Sequence, residues 1–172
     1  MWPVFRSILG VIAGFVVASV IMMVNETANA RVFFPGFAEQ AAAKDKAITQ
    51  NAVDQGLAAD SSEVLMQRRE AVREVMAGAP VGALLVVIFG WAISSIAGAF
   101  VATWIAGRSP ITHGVILGVL LTLAGIANNL MIPPPTWFWV LTIIVFLPAT
   151  FLGARLAPKR TGEPTAATVP VT

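Results

Sequence analysis

A chain of 172 residues that is 57% hydrophobic, only 12% charged and +2 in formal charge departs from soluble averages of roughly 45–50% apolar and roughly 25% charged, and reads as one integral membrane domain. So few and so scattered basic residues exclude a phosphate-binding surface, and with it nucleic acid as a partner. Cysteine is absent and His113 is the single histidine, so disulfides and thiolate chemistry are excluded and no metal or other cofactor is expected.

The first apolar run predicts a spanning helix over 4–24, entered past Arg6, with Gly10, Gly14 and Ala18 at four-residue spacing. A rival reading is a signal peptide, because Ala28-Asn29-Ala30 has the small-x-small form of a cleavage site. Residues 25–78 form the one substantial hydrophilic segment, with eight of the nine acidic residues and six of the eleven basic ones. It begins with the interfacial run from Val32 to Phe37, whose Pro35-Gly36 pair turns the chain. A helix is expected from Ala38 to about Gln55, interrupted at Gly56. A second follows, with Asp60 and Glu63 as its capping pair, Leu65, Val72 and Met76 on one face, and a stop at Gly78.

The span at 80–106 is the expected hub. It is free of charge, and Gly90, Ser94, Gly98, Ala102 and Ala106 line one face, the kind of small-residue stripe that lets helix backbones approach in lipid. Ile96 is expected on the opposed side, facing lipid. The connection Gly107-Arg108-Ser109-Pro110 suits only an antiparallel neighbour. That neighbour, 111–132, carries Gly114, Gly118, Thr122, Gly125 and Asn129, a partner stripe for the hub. Pro133-Pro134-Pro135 cannot continue a helix, and a fourth span over 136–156 starts from a Thr136 cap with Trp137, Phe138 and Trp139 as interfacial anchors. Residues 159–172 lack any hydrophobic pattern and are expected to be a disordered cytoplasmic tail.

The fold class that follows is all-α: four transmembrane helices in an antiparallel bundle, with an extramembrane helical segment between the first two. Four spans put both termini on one side with Arg6, Arg108, Arg155, Lys159 and Arg160, which the positive-inside rule makes cytoplasmic and leaves 25–78 external. No fixed-period repeat and no paired broken helices suggest inverted transporter halves.

Several features together resemble a family of small four-span bacterial inner-membrane proteins of uncharacterised function. They are the Gly-rich first span with Glu26 at its end, the Phe34-Pro35 turn, the striped hub, and Ile132-Pro133-Pro134-Pro135-Thr136-Trp137-Phe138. The resemblance covers most of the chain outside Ala38 to Gly78. It implies a four-helix bundle in a bacterial inner membrane and brings no activity.

Catalytic chemistry finds no motif, and an enzyme is not expected: His113 has no carboxylate nearby in sequence, and the Gly-x-x-x-Gly spacings lack a phosphate-loop context. Two polar features remain. Trp91, near the middle of the hub, needs an acceptor for its indole N–H, and the first candidate is the Ile144 carbonyl freed by Pro148. Asn25 and Glu26 end one span at a depth that should match Asn128 and Asn129 on another, as an interhelical pin or as the mouth of a pocket roofed by Phe33, Phe34 and Trp137. The expected partners are the lipid bilayer and either a second copy or another membrane protein, for an interaction or accessory subunit. The alternative is a carrier or channel for a small neutral solute through an outward-facing polar pocket.

Overall fold

The computed structural model describes residues 2–158, and its secondary structure is helical throughout: α1 Trp2–Val32, α2 Phe37–Asp54, α3 Ser62–Ala77, α4 Val81–Ala106, α5 Pro110–Met131 and α6 Thr136–Leu156. The expected tail, 159–172, lies outside the described residues. Helices α1, α4, α5 and α6 are long and apolar enough to cross a membrane and pack against one another. The all-α four-span bundle is therefore the observed fold. The end where α1 leaves the bundle and the triple proline lies is called the loop end below; the opposite end, near Arg6, Gly107 and Leu156, is the terminal end.

Three of the spans begin and end within a residue or two of their predicted bounds, but α1 runs eight residues past 24 and carries Asn25, Glu26 and Ala28-Asn29-Ala30 as helix. The hydropathy falls at Asn25, while the backbone ladder continues to Val32, where the chain turns through Gly36 at φ 87°. The run resembling a cleavage site is thus a continuous part of a helix that is clamped along its length to α4.

Helix α4 is the hub, packing against α1 most extensively, then α6, then α5. Its small-residue stripe faces α1. A Cβ added at Gly10 would lie 2.5 Å from the Ala102 carbonyl oxygen, and one at Gly98 would lie 2.6 Å from that of Gly14. Gly14 is as close to the Gly98 carbonyl in return. Arg6 adds a donor to this pair at the terminal end, its guanidinium 2.7 Å from the Ile105 carbonyl in the last turn of α4, where a cation meets the negative end of the helix.

The stripe on α5 meets a different partner from the one expected. Gly114 faces Ala154 and the Thr150 carbonyl, and Gly118 faces Thr150 Oγ1 and Leu147, so α5 uses its small residues against α6 and not against the hub. The face of α4 opposite α1 is in turn closed by α6: Gly153 touches the Ile96 backbone, with only 2.8 Å between its added Cβ and Ile96 Cα. Ile96 therefore sits in a helix contact, contrary to its expected lipid exposure, and Ile93, at 62% exposure, is the outward residue of that region.

Helices α2 and α3 pair with each other outside the apolar bundle. Lys44 meets Glu74, while Arg68 lies 2.9 Å from Asp45 and donates to Thr49 at 3.1 Å. Ser61, and not Asp60, caps α3, its hydroxyl accepting from the Val64 N–H at 3.4 Å. The one-residue shift moves the buried face to Val64 and Val75 and leaves Leu65 exposed. Thr136 likewise opens α6 as its first residue, behind Pro135 in the capping position, with no side-chain cap.

Candidate functional site

The polar positions singled out in the sequence separate into three arrangements at the loop half of the bundle. Asn25 turns to the hub: its amide donates to the Val86 carbonyl at 3.4 Å and covers Gly90, whose missing side chain makes the room. Asn129, 1% exposed, donates to Thr142 Oγ1 at 2.9 Å, and Thr142 passes the bond to the Trp139 carbonyl at 3.1 Å, pinning α5 to α6. Glu26 accepts from the indole N–H of Trp91 at 2.7 Å. Trp91 thus has its acceptor on a neighbouring helix, but on α1 and not on α6, because its ring lies flat against Phe146 at 5.4 Å and edge-on to Phe138 at 5.9 Å. Those two rings occupy the α6 side and direct the N–H toward α1.

Glu26 lies level with the first turns of α4: the adjacent Asn25 bonds the Val86 carbonyl, five residues into α4, and the long Trp91 side chain reaches back along its helix to the carboxylate. Glu26 is itself an exposed residue. It belongs to the extension of α1 past its apolar run, so no charge appears within the span predicted from hydropathy.

Two cavities meet at the Glu26–Trp91 pair. The first, of about 140 Å³, opens at the loop end between α1, α4 and α5 and brings Glu26, Asn128 and Asn129 together; Asn25 does not line it. Its roof is Phe34, Phe37 and Phe138; of the expected roof, only Phe34 takes part, and neither Phe33 nor Trp137 lines it. The second, of about 190 Å³, is a crevice between α1 and α5, which touch only sparsely, and it reaches down to Phe15 and Leu121. Glu26, Trp91 and Asn128 line both.

One polar residue of the first cavity was missed. Asn29, 8% exposed, lines it, and its Oδ1 has no hydrogen-bond partner among the described residues. The signal was present: the stripe Gly10, Gly14, Ala18 continues at Met22, Asn25 and Asn29 with the same helical spacing, and ending the span at 24 hid it. No lysine or arginine lines the cavity, and no group of three or more His, Asp or Glu side chains suited to a metal ion occurs among the described residues. His113 is apart from all of this, buried at the terminal end of α5 with Nδ1 donating to the Ser109 carbonyl at 2.9 Å, a bond within its own first turn.

Of the eight residues of the expected packing stripes, seven lie at helix contacts: Gly10 and Gly14 against α4, Gly98 and Ala102 against α1, Gly90 under Asn25, and Gly114 and Gly118 against α6. Ser94, fully buried, returns its hydroxyl to the Gly90 carbonyl at 2.6 Å, which satisfies it within α4. Comparison with models of protein families, with curated proteins and with solved structures gives no match.

Proposed function

We propose that this chain is an integral protein of a bacterial inner membrane, with both termini cytoplasmic and residues 25–78 external, and that it acts by interaction, as an accessory or self-associating component. It is neither an enzyme nor a conduit in this reading. The observation that carries it is the closure of the terminal half. Both cavities around Glu26 end by Phe15 and Leu121, and beyond them α1 and α4 touch backbone to backbone at Gly10, Gly14 and Gly98. A path for a polar solute needs water-filled space across the full apolar thickness of ~30 Å, and direct backbone contact leaves none along this pair. The loop half, with a carboxylate and unpaired amides over an apolar floor, has the composition of a binding end.

The test is purification in mild detergent followed by mass measurement of the intact particle. The expected result is a defined complex heavier than one chain, and a bare monomer under all mild conditions contradicts the reading. The carrier alternative draws on the same cavity, which opens at the loop end. It predicts solute flux in sealed proteoliposomes, and flux abolished by Glu26→Gln would replace the interaction reading. Topology is settled separately: an impermeant thiol reagent should modify Ser62→Cys from outside the cell and spare Ser109→Cys.

A further inference from the structure

The loop-half cavity carries one negative charge and no positive one. Glu26 uses one carboxylate oxygen on Trp91 and has no ion-pair partner among the described residues, and Asn29 Oδ1 is unpartnered although the residue is nine-tenths buried. Asn128 makes no side-chain hydrogen bond recorded in this structure, and the lining contains no cationic side chain. An anion is therefore repelled. A metal ion finds one carboxylate where a site needs several oxygen ligands. A neutral ligand that displaces water from the exposed Glu26 carboxylate supplies no counter-charge in return, which is unfavourable. An ammonium group answers the charge of Glu26 and can donate to the amide oxygens of Asn29 and Asn128. Phe34, Phe37 and Phe138 line the same space, and aromatic rings are suited to a cation.

Size and openings narrow the cation further. A space of about 140 Å³ is close to the ~150 Å³ that accommodates benzene, so it admits the head of a molecule and not a whole lipid. The crevice between α1 and α5 starts at the same Glu26 and is walled by Phe15, Met22, Leu121 and Phe146, an apolar way out through the side of the bundle. We propose that the cavity takes an ammonium group carried on an apolar body, with Glu26 as its counter-charge and the α1–α5 crevice as the route by which the apolar body lies toward the membrane. The proposal rests on the reading of the loop half as the binding end. It assigns that end an amphiphilic amine, which has two sources: an amine-bearing lipid headgroup of the adjoining leaflet, or a free alkylamine.

The experiment uses the full chain in phosphatidylcholine nanodiscs with n-octylammonium, n-octanol and octanoate as probes, binding being read from the shift of the thermal unfolding midpoint across a titration. Octylammonium is expected to bind at least ten-fold more tightly than octanol, and octanoate not at all. Glu26→Gln keeps an acceptor for Trp91 and should erase the preference; Ile132→Trp, which narrows the cavity from the end of α5, away from the helices that carry Glu26 and Trp91, should weaken octylammonium by a similar factor and keeps the test alive if Glu26→Gln does not fold. Equal binding of octylammonium and octanol, or a preference that survives Glu26→Gln, overturns the proposal. Native mass spectrometry from mixed discs separates the sources: retention of phosphatidylethanolamine over phosphatidylcholine, lost in Glu26→Gln, supports the headgroup, and octylammonium preference without such retention supports the free amine. Loss of the ammonium preference in sealed liposomes that pass no solute sinks the ligand class alone, whereas solute flux sinks the interaction reading beneath it.

Discussion

The two halves of the bundle are built from the same four helices and the same residue types, yet one is shut and the other is open. In the terminal half, the α1–α4 and α4–α6 contacts are made on backbone, Gly10 and Gly14 against α4, Gly98 against α1 and Gly153 against Ile96, while Gly114 and Gly118 of α5 meet the side chains of Ala154, Thr150 and Leu147. In the loop half, Gly90 lies under the Asn25 side chain and Gly125 under the Phe146 ring. Backbone contact maximises dispersion and leaves no room, the principal attraction available to helices in lipid. Bulky and polar side chains hold the helices apart, and the space left over becomes the two cavities around Glu26 and Trp91. Small-residue spacing alone therefore does not say where a helix pair is sealed; along α1 and α4 the change from backbone contact at Gly98 to the Asn25 side chain over Gly90 marks where the seal ends.

The comparison is broken most severely by bulk in the closed half. Gly98→Leu drives a side chain into the Gly14 carbonyl, which cannot yield as a flexible side chain does, and should destabilise the bundle by about 3 kcal/mol or more, beyond the usual range for overpacking. Ile93→Leu, on the outward surface, should stay within about 0.5 kcal/mol. Unfolding in mixed detergent measures both, and equal tolerance would mean that the α1–α4 backbone contact does not seal the terminal half.

A smaller effect sharpens the open half. Glu26→Leu strands the buried Trp91 N–H and should cost about 1–3 kcal/mol, while Glu26→Gln, which still accepts, should cost under about 1 kcal/mol. Similar losses for the two would mean that the hydrogen bond is not what holds Trp91. Below that, Asn129→Ala removes the pin to Thr142 and should cost roughly 0.6 kcal/mol, the average for such bonds between membrane helices. The smallest change is expected outside the bundle, where Glu74→Gln breaks an exposed ion pair with Lys44 and should shift stability by less than about 0.5 kcal/mol.

What was legible follows from which physical signal each feature leaves. The spans α4, α5 and α6 are marked by charge-free runs and by Gly107 and the triple proline, so their bounds stand within a residue or two. The end of α1 is not marked by hydropathy, because the helix continues through the polar residues Asn25, Glu26 and Asn29, the first two of which find side-chain partners on α4. Pairing of stripes is a tertiary matter: α4 and α5 both carry glycines, but only the fold decides that the first meets α1 and the second meets α6. Trp91 and Glu26 were each singled out as polar groups in need of a partner. Joining them required the register of α1 on α4, in which Gly14 lies against Gly98 and Asn25 beside Val86.

The contrast between a closed terminal half and an open loop half is tested most directly by accessibility along the hub. Single cysteines at Val87, lining the loop-end cavity, and at Ala99 and Thr103, buried deeper, are exposed to a small charged thiol reagent from each side of sealed vesicles in turn. Modification of Val87→Cys from the loop side, with Ala99→Cys and Thr103→Cys protected from both sides, is the predicted result. Modification of Thr103→Cys from the loop side would contradict it, since the reagent reaches that depth only if water passes where the helices are held to be in contact.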